Sequence, residues 1–254
     1  MTGAGVPGPG AEVVLEARGL TAGYGRRPVV HDLDLHVGRG EILAVLGANG
    51  AGKSTTLLAL AGALPALGGE VRLRGRATTA SLAGRARRGM GLITEERSVF
   101  HRLTVADNLR LGRGDPERAL ALFPELAEHR HRRAGLLSGG QQQMLSLARA
   151  LAADSAVLLV DELSLGLAPR MVHRLLVELR GAADRGMAVV LVEQHARLAL
   201  DLADRAMVLR RGRCALEGDA DDLRGRLDEI ERTYLTGGAL GAAPTEEHAS
   251  DASG

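Results

Sequence analysis

The stretch that decides the fold is GANGAGKS, from Gly47 to Ser54. It fits the pattern G-x-x-x-x-G-K-[ST], in which glycines let the backbone curl until successive N–H groups point at a bound phosphate. The run before it, EILAVLG (41–47), predicts a buried strand, and the residues from Lys53 to Gly62 predict a helix whose positive end adds to an anion site. We therefore expect a phosphate-binding loop between a strand and a helix.

The side chains of this loop suit a nucleoside triphosphate. Lys53 can reach the β- and γ-phosphates, and the Ser54 hydroxyl can hold Mg²⁺. The 32 basic residues comprise 31 arginines and Lys53 alone, so the one compact ammonium of the chain stands where a phosphate would bind. A glycine-rich turn with an exposed lysine is the alternative, and the flanking elements argue against it. The predicted nucleotide-binding residues here are Gly47, Ala48, Asn49, Gly50, Ala51, Gly52, Lys53, Ser54 and Thr55.

Further along the chain, short apolar runs alternate with helical patterns, which predicts an α/β protein with a mostly parallel sheet. AVLLVD (156–161) and MAVVLVE (187–193) read as buried strands, and Pro169 to Gly181 reads as the helix between them. The region from Thr104 to Ala153 carries helical spacing, including Ala119 to Leu126, and is predicted to be a helical insertion. Antiparallel strands are predicted over Glu12–Ala17, Val29–Val37, Val71–Leu73, Arg205–Arg210 and Arg213–Glu217.

Polar residues follow the two buried strands at their carboxyl ends, where ligands of parallel sheets bind. Asp161 would hold Mg²⁺, through water, and Glu162 would orient and polarise an attacking water. A solvated acidic pair is the alternative for these two residues taken alone. His195 follows the other strand and could bond a γ-phosphate, although a histidine in such a place is otherwise a surface residue.

A second anion site is predicted at LSGGQQQ (137–143), just before the helical run MLSLARALAA. Ser138 is a good helix N-cap, and two glycines after it leave backbone N–H donors exposed. An ordinary capped helix is the alternative, because Ser-Gly-Gly by itself is a weak signal.

Composition excludes several classes of function. The formal net charge of +1 argues against a non-specific nucleic-acid binder, and four aromatic residues in 254 argue against a stacking platform. The single cysteine excludes an intrachain disulfide and fits a reducing compartment. The start, MTGAGVPGPG, lacks the features of a signal peptide, and no apolar stretch approaches the roughly 20 residues of a membrane span. We expect a cytosolic protein.

Together these residues resemble the nucleotide-binding subunits of ABC transporters over about residues 12–236. GANGAGKST resembles the Walker A motif, LSGGQQQ the ABC signature and AVLLVDE the Walker B motif. The segments LFPEL (122–126), SLGLAP (164–169) and LVEQHA (191–196) are similar to the branched-chain amino-acid uptake ATPases, with the urea-uptake ATPases next.

The resemblance implies the P-loop NTPase fold of an ABC ATPase, with an antiparallel β subdomain and a helical subdomain at about residues 100–153. It implies one domain over residues 11–236. The Gly/Pro-rich residues 1–10 and residues 237–254, which are rich in Gly, Ala, Ser and acids, are predicted to be disordered tails. Its implied site residues include Tyr24 stacking on adenine, His195 as the switch histidine, and the signature residues Ser138, Gly139, Gly140 and Gln141. Glu95 stands where the wider family has glutamine and is a candidate for both catalysis and Mg²⁺ binding. Leu163 stands where proline usually follows the catalytic glutamate.

The resemblance also implies a mechanism and partners. Each MgATP would lie between the Walker A loop of one subunit and the signature of a second ABC ATPase subunit, identical or a paralogue, in a head-to-tail dimer. Hydrolysis would drive integral membrane permease subunits at the cytoplasmic face, with an extracytoplasmic solute-binding protein in the system and no nucleic acid. The implied cargo is a branched-chain amino acid or a similar small polar solute. An exporter ATPase for lipid or drug, a non-transport ABC ATPase and a regulator without hydrolysis remain as alternatives.

Overall fold

The computed structural model describes residues 12–96 and 98–235, with the side chain of residue 235 left out, and the predicted tails lie outside this part of the chain. The strands within it are β1 (Val13–Tyr24), β2 (Arg27–Gly38), β3 (Ile42–Leu46), β4 (Ala66–Leu73), β5 (Arg76–Ala77), β6 (Met90–Ile93), β7 (Val157–Asp161), β8 (Ala188–Glu193), β9 (Arg205–Arg210) and β10 (Arg213–Asp219). The α-helices are α1 (Lys53–Ala61), α2 (Leu82–Arg87), α3 (Val105–Arg110), α4 (Pro116–Leu122), α5 (Gly139–Leu151), α6 (Pro169–Asp184), α7 (Ala196–Leu202), α8 (Ala220–Arg224) and α9 (Leu227–Leu235).

A six-stranded sheet in the order β10-β9-β3-β8-β7-β6 forms the centre of the fold. All pairs are parallel except β9 with β10. Every residue of β3, β7 and β8 is buried, which is why these strands read as unbroken apolar runs and not as alternating patterns. The parallel pairing of β3, β8 and β7 brings their carboxyl ends to one edge, with Leu46 opposite Glu193 and Asp161 opposite Val192. The predicted α/β class with a mostly parallel sheet is confirmed.

A second, antiparallel sheet has the order β2-β1-β4-β5. It shares an apolar cluster with α1, to which Leu15, Val30 and Leu57 belong, so the helix after the phosphate loop lies between the two sheets. The strand Arg205–Arg210 is predicted to be antiparallel. It does pair antiparallel with β10, but its other neighbour, β3, runs parallel to it.

Helices α3, α4 and α5 and two short 3-10 segments, Pro124–His129 and Ala134–Leu136, occupy the predicted helical insertion. The helical spacing from Ala119 to Leu126 does not form one continuous helix, because α4 ends at Leu122 and Pro124 starts a 3-10 segment. Proline has no N–H to continue a helix and its ring clashes with the preceding turn. Phe123 at this break is completely buried and packs in the same cluster as Leu126.

Two further differences concern α6 and β6. Helix α6 continues past Gly181 to Asp184 and stops before Gly186, whose φ of 101° only glycine adopts readily. The edge strand β6 was not predicted from its short sequence, and it pairs with β7. Among the described residues, no helix has both the length and the apolar character needed to cross a membrane.

Candidate active site

A cavity of 430 Å³ opens at the sheet edge where β3, β7 and β8 end. Its lining joins residues that are far apart in the sequence but predicted to act together, among them Lys53, Ser54 and Glu162. The complete lining is Val29, Asn49, Gly50, Gly52, Lys53, Ser54, Thr55, Glu95, Glu162, Leu165 and Gln194.

The loop from Gly47 to Gly52 needs its glycines. Gly47 and Gly52 have φ values of 156° and 105°, and a Cβ on Gly47 would lie 2.7 Å from the backbone oxygen of Leu209. Gly52 is the N-cap of α1 and provides no side-chain cap. In the described part of the chain, no acceptor is seen for the N–H groups of the first helical residues, 53–55. Such a helix start presents free donors and a positive dipole end to an anion.

The only ammonium in the sequence is held inside this loop. The Lys53 side chain is 5% exposed, and its Nζ donates to the backbone oxygen of Gly47 at 2.9 Å and to that of Ala48 at 3.3 Å. The same Nζ lies 3.5 Å from Oε1 of Glu162. The loop lysine and the carboxylate after β7 therefore form an ion pair in the lining of the cavity.

The backbone at Glu162 adopts the left-handed conformation, with φ of 45°. For a residue with a side chain this costs about 1 kcal/mol, so the surroundings must hold it. Its N–H donates to the backbone oxygen of Val192 at 2.9 Å, which ties the turn after β7 to the end of β8. The turn directs the Glu162 side chain into the cavity lining.

Asp161 offers an oxygen that suits a divalent cation. It is 6% exposed, and burial raises its pKa above the usual value, while the neighbouring Ser54 hydroxyl and Lys53 work in the other direction. Its Oδ1 is buried and has no hydrogen-bond partner among the described residues. A buried carboxylate oxygen left over beside a serine hydroxyl fits Mg²⁺, which prefers oxygen ligands.

The remaining acidic candidate is Glu95, which is exposed and lines the cavity. Its negative charge also raises the pKa of Asp161, as one of the smaller contributions. The described residues contain no cluster of three or more histidine, cysteine or acidic side chains able to hold a metal.

His195 and Tyr24 lie elsewhere than the cavity lining. His195 is the N-cap of α7 and lines a separate, larger groove between α6 and α7. Gln194, one residue earlier, lines the cavity instead. Tyr24 is 56% exposed at the end of β1 and does not line the cavity. Val29, on the next strand, does line it. The roles expected for His195 and Tyr24 stay predictions.

Three residues of the cavity lining were not predicted as site residues: Gln194, Val29 and Leu165. For Gln194 a signal was available, since it directly follows a buried strand that ends at the same sheet edge as Asp161. Val29 and Leu165 carry no polar group that could have distinguished them.

The Ser-Gly-Gly turn begins α5 away from this cavity. The Ser138 side chain accepts from the N–H of Gln141 at 3.3 Å, and the Gln141 side chain accepts from the N–H of Ser138 at 3.0 Å. Ser138 is exposed, and neither Gly139 nor Gly140 donates its N–H to an acceptor within residues 12–96 and 98–235. The turn combines an exposed serine with two half-buried glycines whose N–H groups are free, and it does not line the cavity of its own chain's phosphate loop.

Comparison with known proteins agrees with this geometry. The family described as "ABC transporter" matches residues 30–164. The "High-affinity branched-chain amino acid transport ATP-binding protein BraG" of Pseudomonas aeruginosa is 41% identical over 203 residues, covering 76% of this chain and 87% of that protein. The "Lipopolysaccharide export system ATP-binding protein LptB" of Haemophilus influenzae is 32% identical over 234 residues, covering 87% and 97%.

A solved structure described as "Structure of ATP binding subunit of ABC transporter" superposes with a TM-score of 0.77 at 27% identity, covering 87% of this chain and 99% of that one. The glycine loop between β3 and α1, with acidic residues at the end of β7, defines a P-loop nucleotide-binding protein. With the family match and the relatives, the chain belongs to the ABC transporter family of ATP-binding proteins, which are ATP-hydrolysing translocases.

Proposed function

We propose that this chain is the ATP-hydrolysing subunit of a transporter that takes up branched-chain amino acids or a similar small polar solute. The observation that carries the proposal is the 41% identity to a branched-chain amino acid transport ATP-binding protein, over 87% of that protein. The chain would act at the cytoplasmic face of the membrane, on separate permease subunits, with an extracytoplasmic solute-binding protein delivering the cargo.

Hydrolysis is proposed to take place between two copies, or between this chain and a paralogue. The cavity at Lys53 contains no residue of the Ser138 turn, and that turn is exposed with free N–H donors. A head-to-tail dimer brings the turn of one subunit to the triphosphate in the other, which gives both anion sites one ligand. Loss of the γ-phosphate on hydrolysis removes the group that both subunits hold, so the dimer loosens and the permease changes state.

Within each site the proposed roles follow from the lining. The Lys53 ammonium and the free N–H groups at the start of α1 bind the phosphates. The Glu162 carboxylate orients and polarises the attacking water. Ser54, Asp161 and the nearby Glu95 are the proposed ligands of Mg²⁺, which neutralises charge on the phosphate oxygens when bound. Gln194 lines the same cavity and is placed to contact the phosphates or the water.

Purification from membranes tests the transport assignment. The tagged chain is isolated from detergent-solubilised membranes of the source organism, and the proteins that accompany it are identified by mass spectrometry. The complex is then reconstituted in vesicles with its binding protein, and uptake of labelled leucine is measured with MgATP available to the ATPase side. We expect two permease subunits and ATP-dependent leucine uptake, and no uptake in a matched preparation of Glu162→Gln.

A lipid exporter is the second candidate, and the 32% identity to a lipopolysaccharide export protein over 97% of its length favours it specifically. The same purification separates the two. Recovery of lipid-export membrane subunits, together with vesicles that do not accumulate leucine, would contradict the uptake proposal and support export.

A further inference from the structure

Glu193, the last residue of β8, is a buried carboxylate that the mechanism above does not use. It is 1% exposed and stands beside two cavities, since the next residue, Gln194, lines the ATP cavity and His195 lines the groove between α6 and α7. Burial raises the pKa of Glu193, and its hydrogen bonds oppose that shift. A group so costly to bury needs a structural reason.

Both oxygens of this carboxylate are bonded to one residue. Oε1 accepts from the backbone N–H of Ser164 at 3.1 Å, and Oε2 accepts from its hydroxyl at 2.9 Å. Ser164 is itself 8% exposed and comes two residues after Glu162. These two bonds hold the chain that leaves β7 against the end of β8.

A second anchor lies beside the first. The N–H of Glu162 donates to the backbone oxygen of Val192 at 2.9 Å, so residues 162 and 164 are tied to residues 192 and 193. Between them Leu163 is buried, at 1% exposure. The residues after Leu163 line the two cavities in turn, since Leu165 lines the ATP cavity whereas Ser164 and Leu167 line the groove between α6 and α7.

We propose that Glu193 is a positioning residue for ATP hydrolysis, because its carboxylate fixes Ser164 and thereby the strained turn that holds Glu162 toward the phosphate loop. The inference rests on the proposed role of Glu162 in orienting water. The left-handed backbone at Glu162 is strained, so we expect the turn to relax to another conformation once the bonds to Ser164 are lost. The phosphate-binding groups of the glycine loop and of the start of α1 lie outside the segment that this anchor holds.

The test compares Glu193→Leu, Ser164→Ala and the double variant with the wild type in steady-state ATP hydrolysis. An apolar residue of similar size is the informative replacement, since a glutamine could still bond both Ser164 groups, so Glu193→Gln serves as the conservative control. We expect kcat to fall by at least about tenfold in Glu193→Leu, with KM and the Kd for a fluorescent ATP analogue changed less than about threefold. If the two residues act through their contact, the double variant is no slower than the slower single variant. Ser164→Thr keeps the hydroxyl and should retain most of the turnover.

A matched control separates positioning from general loss of stability. Asp204 also bonds a backbone N–H, that of Ile42 at 2.8 Å, but at the opposite end of the central sheet. Asp204→Asn should lower the melting temperature and leave kcat unchanged when both are measured well below that temperature. Ser164→Ala is the milder variant if Glu193→Leu folds poorly, since it removes only the hydroxyl bond.

Three results would overturn the inference: wild-type kcat in folded Glu193→Leu, additive effects in the double variant, or an equal loss of kcat in Asp204→Asn. These differ from failure of the proposed function. Near-normal turnover in Glu162→Gln would remove the water-positioning role itself, whereas an inactive Glu162→Gln beside a fully active Glu193→Leu rejects the Glu193 inference alone.

Discussion

Two helices of this protein begin at glycine-rich turns, and they differ in how their first N–H groups are bonded. Helix α1 starts after Gly52 with no side-chain cap, inside the cavity that contains Glu162. Helix α5 starts after Ser138, whose side chain and that of Gln141 bond each other's backbone N–H groups. Among the described residues, no side chain accepts from the N–H groups that begin α1, whereas at α5 the N–H of Gln141 is bonded and those of the two glycines before it are free.

In the proposed head-to-tail dimer the two helix starts bind one ligand, and they differ in how stable they are before that ligand arrives. An uncapped start beside a buried acid is unfavourable until a phosphate and a cation bind, so this region is suited to binding. A capped start contributes to folding by itself and still has the free N–H groups of its two glycines. In the proposed dimer its ligand is the nucleotide held by the neighbouring molecule.

The largest expected effect comes from the carboxylate that faces the open helix start. Glu162→Gln should hydrolyse ATP at least about 100-fold slower, because an amide cannot polarise the attacking water as a carboxylate does. It should still bind MgATP, and light scattering should show a dimer with ATP but not with ADP. Phosphate release and light scattering measure both properties.

Glu96→Gln is the control for this variant, since Glu96 is an exposed acid adjacent to the lining residue Glu95. Its hydrolysis should equal that of the wild type. A monomer of Glu162→Gln at saturating MgATP would contradict an intrinsic sandwich dimer, unless permease subunits are needed to assemble it.

A mixing experiment tests whether the two helix starts really belong to different molecules. Lys53→Ala removes the phosphate-binding ammonium and Ser138→Glu places a negative charge at the second turn, so each variant alone should be inactive. A mixed dimer of the two single variants regenerates one site with an intact Lys53 and an intact Ser138. We expect the equimolar mixture to hydrolyse ATP at least about tenfold faster than either variant alone.

The double variant Lys53→Ala/Ser138→Glu provides the matched control. Mixed with wild type, it leaves every mixed dimer with one defect in each site, so it should lower the activity of the mixture without restoring any. If the two single variants show no complementation although they form mixed dimers, the two turns do not share a ligand between subunits.

Much of this site was predictable because its residues follow strands that the sequence marks clearly. β3, β7 and β8 are buried on both faces, so their apolar runs predict parallel strands, and the polar residues after them must meet at one edge. This reasoning predicts that Lys53, Ser54 and Glu162 lie close together, and in the structure all three line one cavity.

The remainder depended on geometry that no local pattern contains. Whether Gln194 or His195 faces the ATP cavity depends on how the chain leaves β8 and enters α7, and adjacent residues at such a turn can point into different cavities. The break of the helical pattern at Phe123 was visible only in Pro124, and the apolar spacing continued across it. The bonds from Glu193 to Ser164 join residues 29 positions apart, which spacing alone cannot reveal.

The smallest expected effect is on stability, and it has opposite signs at the two helix starts. Next to the start of α1, at the end of β7, the pKa of Asp161 is raised above its ordinary value of 3.8, chiefly by burial, so the folded state disfavours the ionised form. The resulting loss of stability is present above the folded-state pKa and fades as pH falls toward 3.8. Asp161→Asn should therefore melt higher than wild type at pH 7, without nucleotide or Mg²⁺, and the gain should shrink in acid.

At α5, Ser138→Ala removes a cap worth about 1 kcal/mol and should melt lower, by about 2–4 °C for a chain of this size. Calorimetry of the three proteins at pH 7 and at successively more acidic pH measures both shifts. A lower melting temperature in Asp161→Asn at pH 7 would mean that the buried acid stabilises the fold, and the contrast between an uncapped and a capped helix start would fail.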